Sequence, residues 1–335
     1  MKIDGGIGFS PAGVAEEAAK AEASGYDGVW SAETSHDPFL PIAIGAGATD
    51  TLEFGTGITV AFARNPMTLA VLANDLQLLT KGRFMMGMGS QIKPHITKRF
   101  SMPWSHPAPR MREMILAIRA IWKTWETGEK LEFRGEFYTH TLMTPFFNPG
   151  PNPHGNAKIL LAGVGEHMTE VAGEVGDGFL VHGFTTERYL REKSLPALER
   201  GAAKAGKTRA DLTVSYPGFV VTGTNDKERE AADKAVRQQI AFYGSTPAYR
   251  PVLELHGWGD MQAELNTLSK RGEWVKMGEI IDDEVLDAFA VVAPLDKVAA
   301  EVRSRFGDAV DRFSFYAPYK VDAEAWKEVL AGFKD

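Results

Sequence analysis

The 335-residue chain has no cysteine. That absence excludes a disulfide framework, a thiolate nucleophile, a Cys-ligated zinc and an iron–sulfur cluster, and it suits a reducing compartment. Long apolar runs are also missing, since no stretch approaches the roughly 20 residues of a membrane span. The first ten residues, Met1 to Ser10, hold no basic segment leading into an apolar one, so no secretory signal is expected. These readings predict a soluble, cytoplasmic protein with no membrane partner. Positive charge is in deficit, with 37 Lys and Arg against 44 Asp and Glu and a net charge of −7. A nucleic-acid partner would call for a basic face, so none is expected. The eight histidines form no HxH or HExxH pair, and the end of the first strand reads Gly8-Phe9-Ser10-Pro11 instead of a ligand pair. No catalytic metal is predicted.

What is present is an ordinary globular balance of 44% apolar and 24% charged residues, enough to bury a sizeable core. Strand-like runs are predicted near 3–9, 27–32, 53–61, 83–89, 158–162, 178–182, 212–221 and 311–316. Helical patterns fill the gaps. In 109–126, Met111, Met114, Ile115, Ile118, Ile121, Trp122 and Trp125 recur at steps of three and four. The helix at 226–242 opens on Asn225 with Glu228 three residues on, as in a capping box. The helix at 12–24 ends at Gly25, a suitable left-handed cap. Alternation of this kind implies a parallel sheet, and eight strands with a last helix at 322–332 predict a (β/α)8 TIM barrel. A doubly wound open sheet is the alternative, disfavoured because no Gly-rich nucleotide fingerprint follows the first strand. Asp27-Gly28 before the second strand and Asp177-Gly178 before the sixth are four units apart, as a half-barrel repeat would place them. Three stretches, near 91–106, 128–157 and 243–290, fit neither element type and are read as insertions in a single domain, 1–335.

One formal phosphate-loop match, Gly201 to Thr208, fails on context, because it closes a helix and precedes a strand. Gly206 reads as a helix cap. If the fold is a barrel, ligands bind at the C-terminal strand ends. That rule selects Phe9, Ser10, Ser31, Glu33, Thr34, His36, Phe62, Arg64, Asn65, Ser90, Gln91, the loop Ala162-Gly163-Val164-Gly165, His182 and Tyr316. Glu33 and His36 are candidate acid–base partners. The competing reading makes His36-Asp37-Pro38 the entry to a helix, with Asp37 as cap. Ala162 to Gly165 offers close backbone approach at a helix N-terminus, which suits a phosphate, or it is simply a tight turn. Lys93, His95, Lys98 and Arg99 form either a basic rim or a solvated face. Trp104, Phe146, Phe147 and Trp258 are candidates to wall an apolar pocket.

Ser31-Ala32-Glu33-Thr34, Gly55-Thr56-Gly57-Ile58 leading to Ala63-Arg64-Asn65-Pro66, and Gly82-Arg83-Phe84 to Gly87-Met88-Gly89-Ser90 resemble the luciferase-like monooxygenase superfamily. So do Ala162 to Gly165, Val171-Ala172-Gly173 and Asp177-Gly178, and the resemblance runs over nearly the whole chain. Met102-Pro103-Trp104-Ser105, Met111-Arg112-Glu113 and the segment from Tyr243 to Asp260 are most similar to the actinobacterial branch that uses coenzyme F420. The resemblance implies a TIM barrel with a deazaflavin in its mouth. A non-proline cis peptide at Gly57-Ile58 would back the ring, Ser90 and Gln91 would line its edge, and Ala162, Gly163, Val164 and Gly165 would hold its phosphate. Glu33 would contact the ring or its side chain, His36 would carry the proton, and Arg64 with Lys93, Lys98 or Arg99 would face the acidic tail.

Sugar-phosphate dehydrogenases of this branch carry Asp-His at the end of strand 2 and a Glu after strand 4. Here those positions read Glu33-Thr34 and Gln91-Ile92, so glucose 6-phosphate is not expected. The resemblance therefore implies an F420-dependent oxidoreductase acting on a small organic substrate, with a homodimer as its assembly. An FMN-dependent monooxygenase and a non-catalytic coenzyme-binding barrel are the alternatives.

Overall fold

The computed structural model describes residues 1–8, 10–320 and 322–334, which leaves Phe9 outside. The strands, in chain order, are β1 Lys2–Ile7, β2 Gly28–Ser31, β3 Glu53–Thr56, β4 Thr59–Val60, β5 Phe84–Gly89, β6 Phe133–Arg134, β7 Thr139–His140, β8 Lys158–Gly163, β9 Gly178–Val181, β10 Thr213–Val221, β11 Ala290–Val292 and β12 Arg312–Tyr316. Each of the eight predicted runs contains a strand. The third is broken into β3 and β4, and the peptide between them, Gly57–Ile58, is cis. β11 is a strand the sequence pattern does not predict, because three residues at the end of an irregular stretch carry no readable period. Each of the eight main strands, β1, β2, β3 with its continuation β4, β5, β8, β9, β10 and β12, is followed by a helix, the element order of a (β/α)8 barrel.

Contacts divide the chain into two compact units. The larger, residues 4–180 and 197–213, holds parallel strands in the order β1-β2-β3-β5-β8-β9, with β4 beside β5. Its register pairs Ile7 with Ser31, Ser31 with Thr56, and Met88 with Leu161. The first helix, Val14–Ser24, ends at Gly25 with φ 91°, a left-handed conformation that favours glycine. The long amphipathic helix is Pro107–Thr127, and Met111, Met114, Ile115, Ile118, Ile121, Trp122 and Trp125 are all buried. Asp27 and Asp177 do the same job at the two Asp-Gly steps. The Asp27 carbonyl accepts from the Glu53 N–H and the Asp177 carbonyl from the Thr213 N–H, each at 3.0 Å and each the first residue of the next strand.

The rejected phosphate-loop match is a helix crossing and a helix end. A Cβ at Gly201 would lie 1.8 Å from the Glu170 carbonyl oxygen, and Gly206 takes φ 68°. The stretch 128–157 is anchored from the long helix. Glu113 accepts the backbone N–H groups of Glu136, Phe137 and Tyr138 at 2.6–2.8 Å, and a Cβ at Gly135 would fall 2.1 Å from its carboxylate. Arg110 donates to the Tyr138 hydroxyl and the Pro103 carbonyl. Phe146 and Phe147 are 90% and 71% exposed, so they wall no pocket in this structure.

The smaller unit, residues 1–3, 181–196 and 214–335, holds β10 between β11 and β12, all parallel. The helix after β10 is Asp226–Gly244, capped by Asn225, whose side chain accepts from the Glu228 N–H. The Glu228 carboxylate turns to Thr224 instead of completing a box with Asn225. The stretch 243–290 is largely helical, with Arg250–Leu255, Gly259–Lys270, Trp274–Glu279 and Asp283–Phe289. Their apolar faces close on Phe184, Phe219, Val236 and Ile240. No helix among the described residues is long and apolar enough to cross a membrane.

Candidate active site

In the larger unit, apolar side chains of the strands and of the cis turn form one cluster. Trp30, Ile58 and Ala162 pack against the buried Met85, Leu160 and Leu180. The glycines of the sequence motifs make room for this floor. A Cβ at Gly55 would lie 2.2 Å from the Trp30 ring, one at Gly89 2.3 Å from Ile58 Cδ1, and one at Gly87 1.8 Å from the Thr56 carbonyl oxygen. Trp30 is fixed by its indole N–H, which donates to Asp4 at 2.9 Å. Two hydroxyls beside Gly57–Ile58, that of Thr59, next in the chain, and that of Ser31, whose carbonyl accepts the Gly57 N–H at 2.8 Å, are fully buried with no hydrogen-bond partner among the described residues. Buried polar groups are rarely left so.

Glu33 and Arg64 are joined at the strand ends. Glu33 Oε2 accepts from Arg64 Nη1 at 2.6 Å and from the Val60 N–H at 2.7 Å, while Arg64 Nη2 reaches Asp37 at 3.0 Å. The Asp37 carboxylate also accepts from the Phe39 N–H at 2.8 Å, where the helix Phe39–Ala46 begins. Asp37 is thus the cap that the competing sequence reading assigned to it. His36 is exposed on the same loop. Arg64 is engaged by two carboxylates and so is not an open cation. Lys93, His95, Lys98 and Arg99 are exposed on and beside a single helical turn, and Arg99 donates to the Thr34 carbonyl.

After β5, Gln91 takes φ 60° and its side chain accepts from the Ile92 N–H, while the Ser90 hydroxyl donates to the Gln91 carbonyl. After β8, the helix Glu166–Val175 starts behind Gly165. A Cβ at Gly163 would press on Met168 at 3.1 Å, whereas one at Gly165 would meet nothing within 4 Å. Close packing explains the first glycine. The second leaves open space beside a helix N-terminus, where backbone N–H groups favour an anion.

In the smaller unit a second cluster gathers at the ends of β9, β10 and β12. His182 Nδ1 accepts from the Phe184 N–H at 3.0 Å, and its Nε2 is 3.2 Å from the Tyr249 hydroxyl. The Tyr243 and Tyr316 hydroxyls are 2.8 Å apart, and Tyr316 stacks on Phe219. Burial pushes the His182 imidazole down to about 4 and the Tyr249 phenol up to about 12. Burial also raises Tyr243 and Tyr316. His182 and Tyr316 are strand-end candidates of the sequence reading. Tyr243 and Tyr249 escape that reading as site residues, and their only signals are membership of the third irregular stretch and of the Tyr243 to Asp260 segment that carries part of the family resemblance. Trp104 and Trp258 contact single rings, Phe62 and His256. No group of three or more His, Cys, Asp or Glu able to hold a metal occurs among the described residues.

The family model for luciferase-like monooxygenases matches residues 3–312. An uncharacterized protein of Mycobacterium tuberculosis is 55% identical over 93% of this chain and 92% of its own. The 5,10-methylenetetrahydromethanopterin reductase of Archaeoglobus fulgidus is 29% identical over 84% of this chain and 82% of the relative. Among solved structures, the coenzyme F420-dependent tetrahydromethanopterin reductase of Methanopyrus kandleri superposes with a TM-score of 0.79 at 17% identity, covering 99% of this chain and 97% of the other. An EDTA monooxygenase of Chelativorans sp. BNC1 superposes at 0.76 and 15%, covering 99% and 92%. These likenesses show the fold to be the (β/α)8 barrel predicted from the element order.

Proposed function

The chain belongs to the luciferase-like monooxygenase family, and from that premise we propose that it is a coenzyme F420-dependent oxidoreductase acting on a small organic substrate. The observation that carries the reading is the apolar floor formed by the partly buried Trp30, Ile58 and Ala162 over the buried Met85, Leu160 and Leu180. A flat, uncharged ring system is the ligand such a floor suits. The residues around it fit the rest of the coenzyme. The open space at Gly165 suits a phosphate at a helix start. When bound, the deazaflavin supplies the hydride carrier, and the protein supplies orientation and electrostatics.

In this reading Gly57 and Ile58 back the ring, Ser90 and Gln91 border its edge, and Ala162 to Gly165 hold the phosphate. Glu33 acts through Arg64 and the Val60 N–H, holding the β4 turn in place under the ring. His36, exposed on the loop, exchanges the proton with solvent. Lys93, Lys98 and Arg99 draw in the acidic coenzyme tail, the part taken in the sequence reading by a rim that included Arg64. The protein works as a homodimer in the cytoplasm, and light scattering on the purified protein reads the assembly.

The relative from Archaeoglobus fulgidus and the structure from Methanopyrus kandleri support a reductase, and the second of these, a coenzyme F420-dependent enzyme, supports F420. Fluorescence-quenching titration of the purified protein with F420 tests the reading. Saturable binding at micromolar levels is expected, with little oxygen uptake in the presence of reduced FMN. Oxygen uptake that depends on reduced FMN, without F420 binding, would replace this reading with a monooxygenase. Tight F420 binding with no single turnover across a substrate panel would leave a coenzyme-binding barrel.

A further inference from the structure

The smaller unit holds five hydrogen-bonding rings near the strand ends, and their hydrogens can be counted. The Phe184 N–H donates to His182 Nδ1, so that nitrogen carries no proton. The neutral imidazole then bears its hydrogen on Nε2 and gives it to the Tyr249 oxygen. The hydrogen of the Tyr249 hydroxyl is left with no acceptor among the described residues. Tyr243 and Tyr316 share one hydrogen between two oxygens, so one of their two hydroxyl hydrogens is left over as well. Tyr319 behaves differently. Its hydroxyl donates to the Val220 carbonyl at 2.7 Å and accepts from the Thr222 N–H, and it has nothing to offer a ligand.

The charge count is as informative as the hydrogen count. No guanidinium, ammonium or carboxylate takes part in the His182–Tyr249 or Tyr243–Tyr316 pair among the described residues. His182 stays neutral, and the three tyrosines keep their protons at neutral pH. The surrounding rings are apolar, with Phe184 stacked on Tyr249 and Phe219 on Tyr316. All four polar rings are half-buried, neither sealed in the core nor fully wet. A phosphate or carboxylate brought here would lose its hydration and gain no counter-charge, which is strongly unfavourable. An uncharged carbonyl or alcohol oxygen would accept the unspent hydrogens.

We infer that the His182–Tyr249 and Tyr243–Tyr316 pairs form the receptor for an uncharged, oxygen-bearing substrate, a ketone, aldehyde or alcohol, with Tyr249 donating to its oxygen. The inference deepens the oxidoreductase reading by naming the substrate class, and it rests on that reading for the chemistry though not for the binding. His182 is a positioning residue, because its Nε2–H occupies the Tyr249 oxygen and so turns the phenolic hydrogen outward.

The test is equilibrium binding of cyclohexanone, cyclohexanol, glucose 6-phosphate and inorganic phosphate to the purified protein, read calorimetrically and by tyrosine difference absorbance. The two neutral probes are expected to bind and perturb the tyrosine spectrum, and the two anions to leave it unchanged. Tyr249→Phe should weaken cyclohexanone binding about tenfold, the effect of one hydrogen bond. Tyr319→Phe should leave that affinity as it is. His182→Gln, which keeps an N–H donor, should retain most of the affinity that His182→Phe loses, provided circular dichroism shows both variants folded. A tyrosine signal from glucose 6-phosphate or phosphate, or wild-type cyclohexanone affinity in Tyr249→Phe, would overturn the inference. Titration of F420 in the same variants keeps the two readings separate. Ketone binding without F420 binding would sink the coenzyme assignment alone, and F420 binding without ketone binding would sink this one alone.

Discussion

Arg83 stands in the sequence inside a family motif, and the structure gives that motif residue a mechanical role. Its guanidinium donates to the carbonyls of Ala46, Thr49, Leu52 and Thr80 and to the Thr49 hydroxyl, and it lies over the Phe54 ring. A lysine offers one nitrogen in place of this planar fork. Arg83→Lys should lower stability by about 2–4 kcal/mol, several hydrogen bonds at about 1 kcal/mol each, seen as a lower urea midpoint at unchanged m-value. His182 makes a pH prediction. Its pKa falls to about 4 in the folded protein, from about 6.5 in the unfolded chain. The unfolded state therefore binds more protons between those values, and stability is lost as pH drops from 6.5 to 4. The loss amounts to roughly 3 kcal/mol, and it is complete below pH 4. Urea midpoints of wild type and His182→Gln at pH 7.5 and 4.5 check it, since the variant should lack this part of the acid loss. His182 could be named from sequence because it ends a strand. Tyr249 could not, because its place depends on how a long irregular stretch folds back, and the interval from β10 to β11 contains no period that reports distance.

Elements were most readable where one physical signal dominated. The helix Pro107–Thr127 follows from its apolar spacing and its prolines at the start, and Val14–Ser24 from the glycine at its end. The break in the third strand run at Gly57–Ile58 was legible through the family resemblance, not from any propensity of Gly or Ile. The glycines of β5 and the helix pair 166–175 and 195–204 were visible as pattern but not as purpose. Gly87 meets the Thr56 carbonyl, and Gly173 would place a Cβ 2.0 Å from the Leu198 carbonyl oxygen. Gly87→Ala and Gly173→Ala should each push two backbones apart and cost about 1–3 kcal/mol, measurable as a fall in thermal midpoint. The stretch 128–157 was expected to be an insertion, but what ties it down was not legible. Glu113→Ala removes the acceptor for three N–H groups, so amide hydrogen exchange should accelerate at Glu136, Phe137 and Tyr138 while the strands stay protected.

For the whole molecule, composition and element order were enough to predict the barrel, since eight strand–helix repeats leave few alternatives. The two compact units were not foreseen, because a division by contacts has no marker in linker composition. The net charge of −7 makes binding of an acidic coenzyme depend on local groups, so its affinity should fall as salt rises. Gly165→Ala isolates that binding from folding. Its Cβ would meet no protein atom, and its backbone is extended, so thermal stability should stay within about 0.5 kcal/mol of wild type. F420 affinity should drop, and an unchanged quenching curve would remove the loop from the phosphate site. The Glu113 anchor bears on how such a protein diversifies. It grips the hairpin turn by main-chain N–H groups, which every residue except proline provides, so the turn's side chains are left out of the grip. The largely exposed segment from Leu142 to Phe147 follows β7 and lies outside the anchor, and a library randomised there should yield mostly folded barrels.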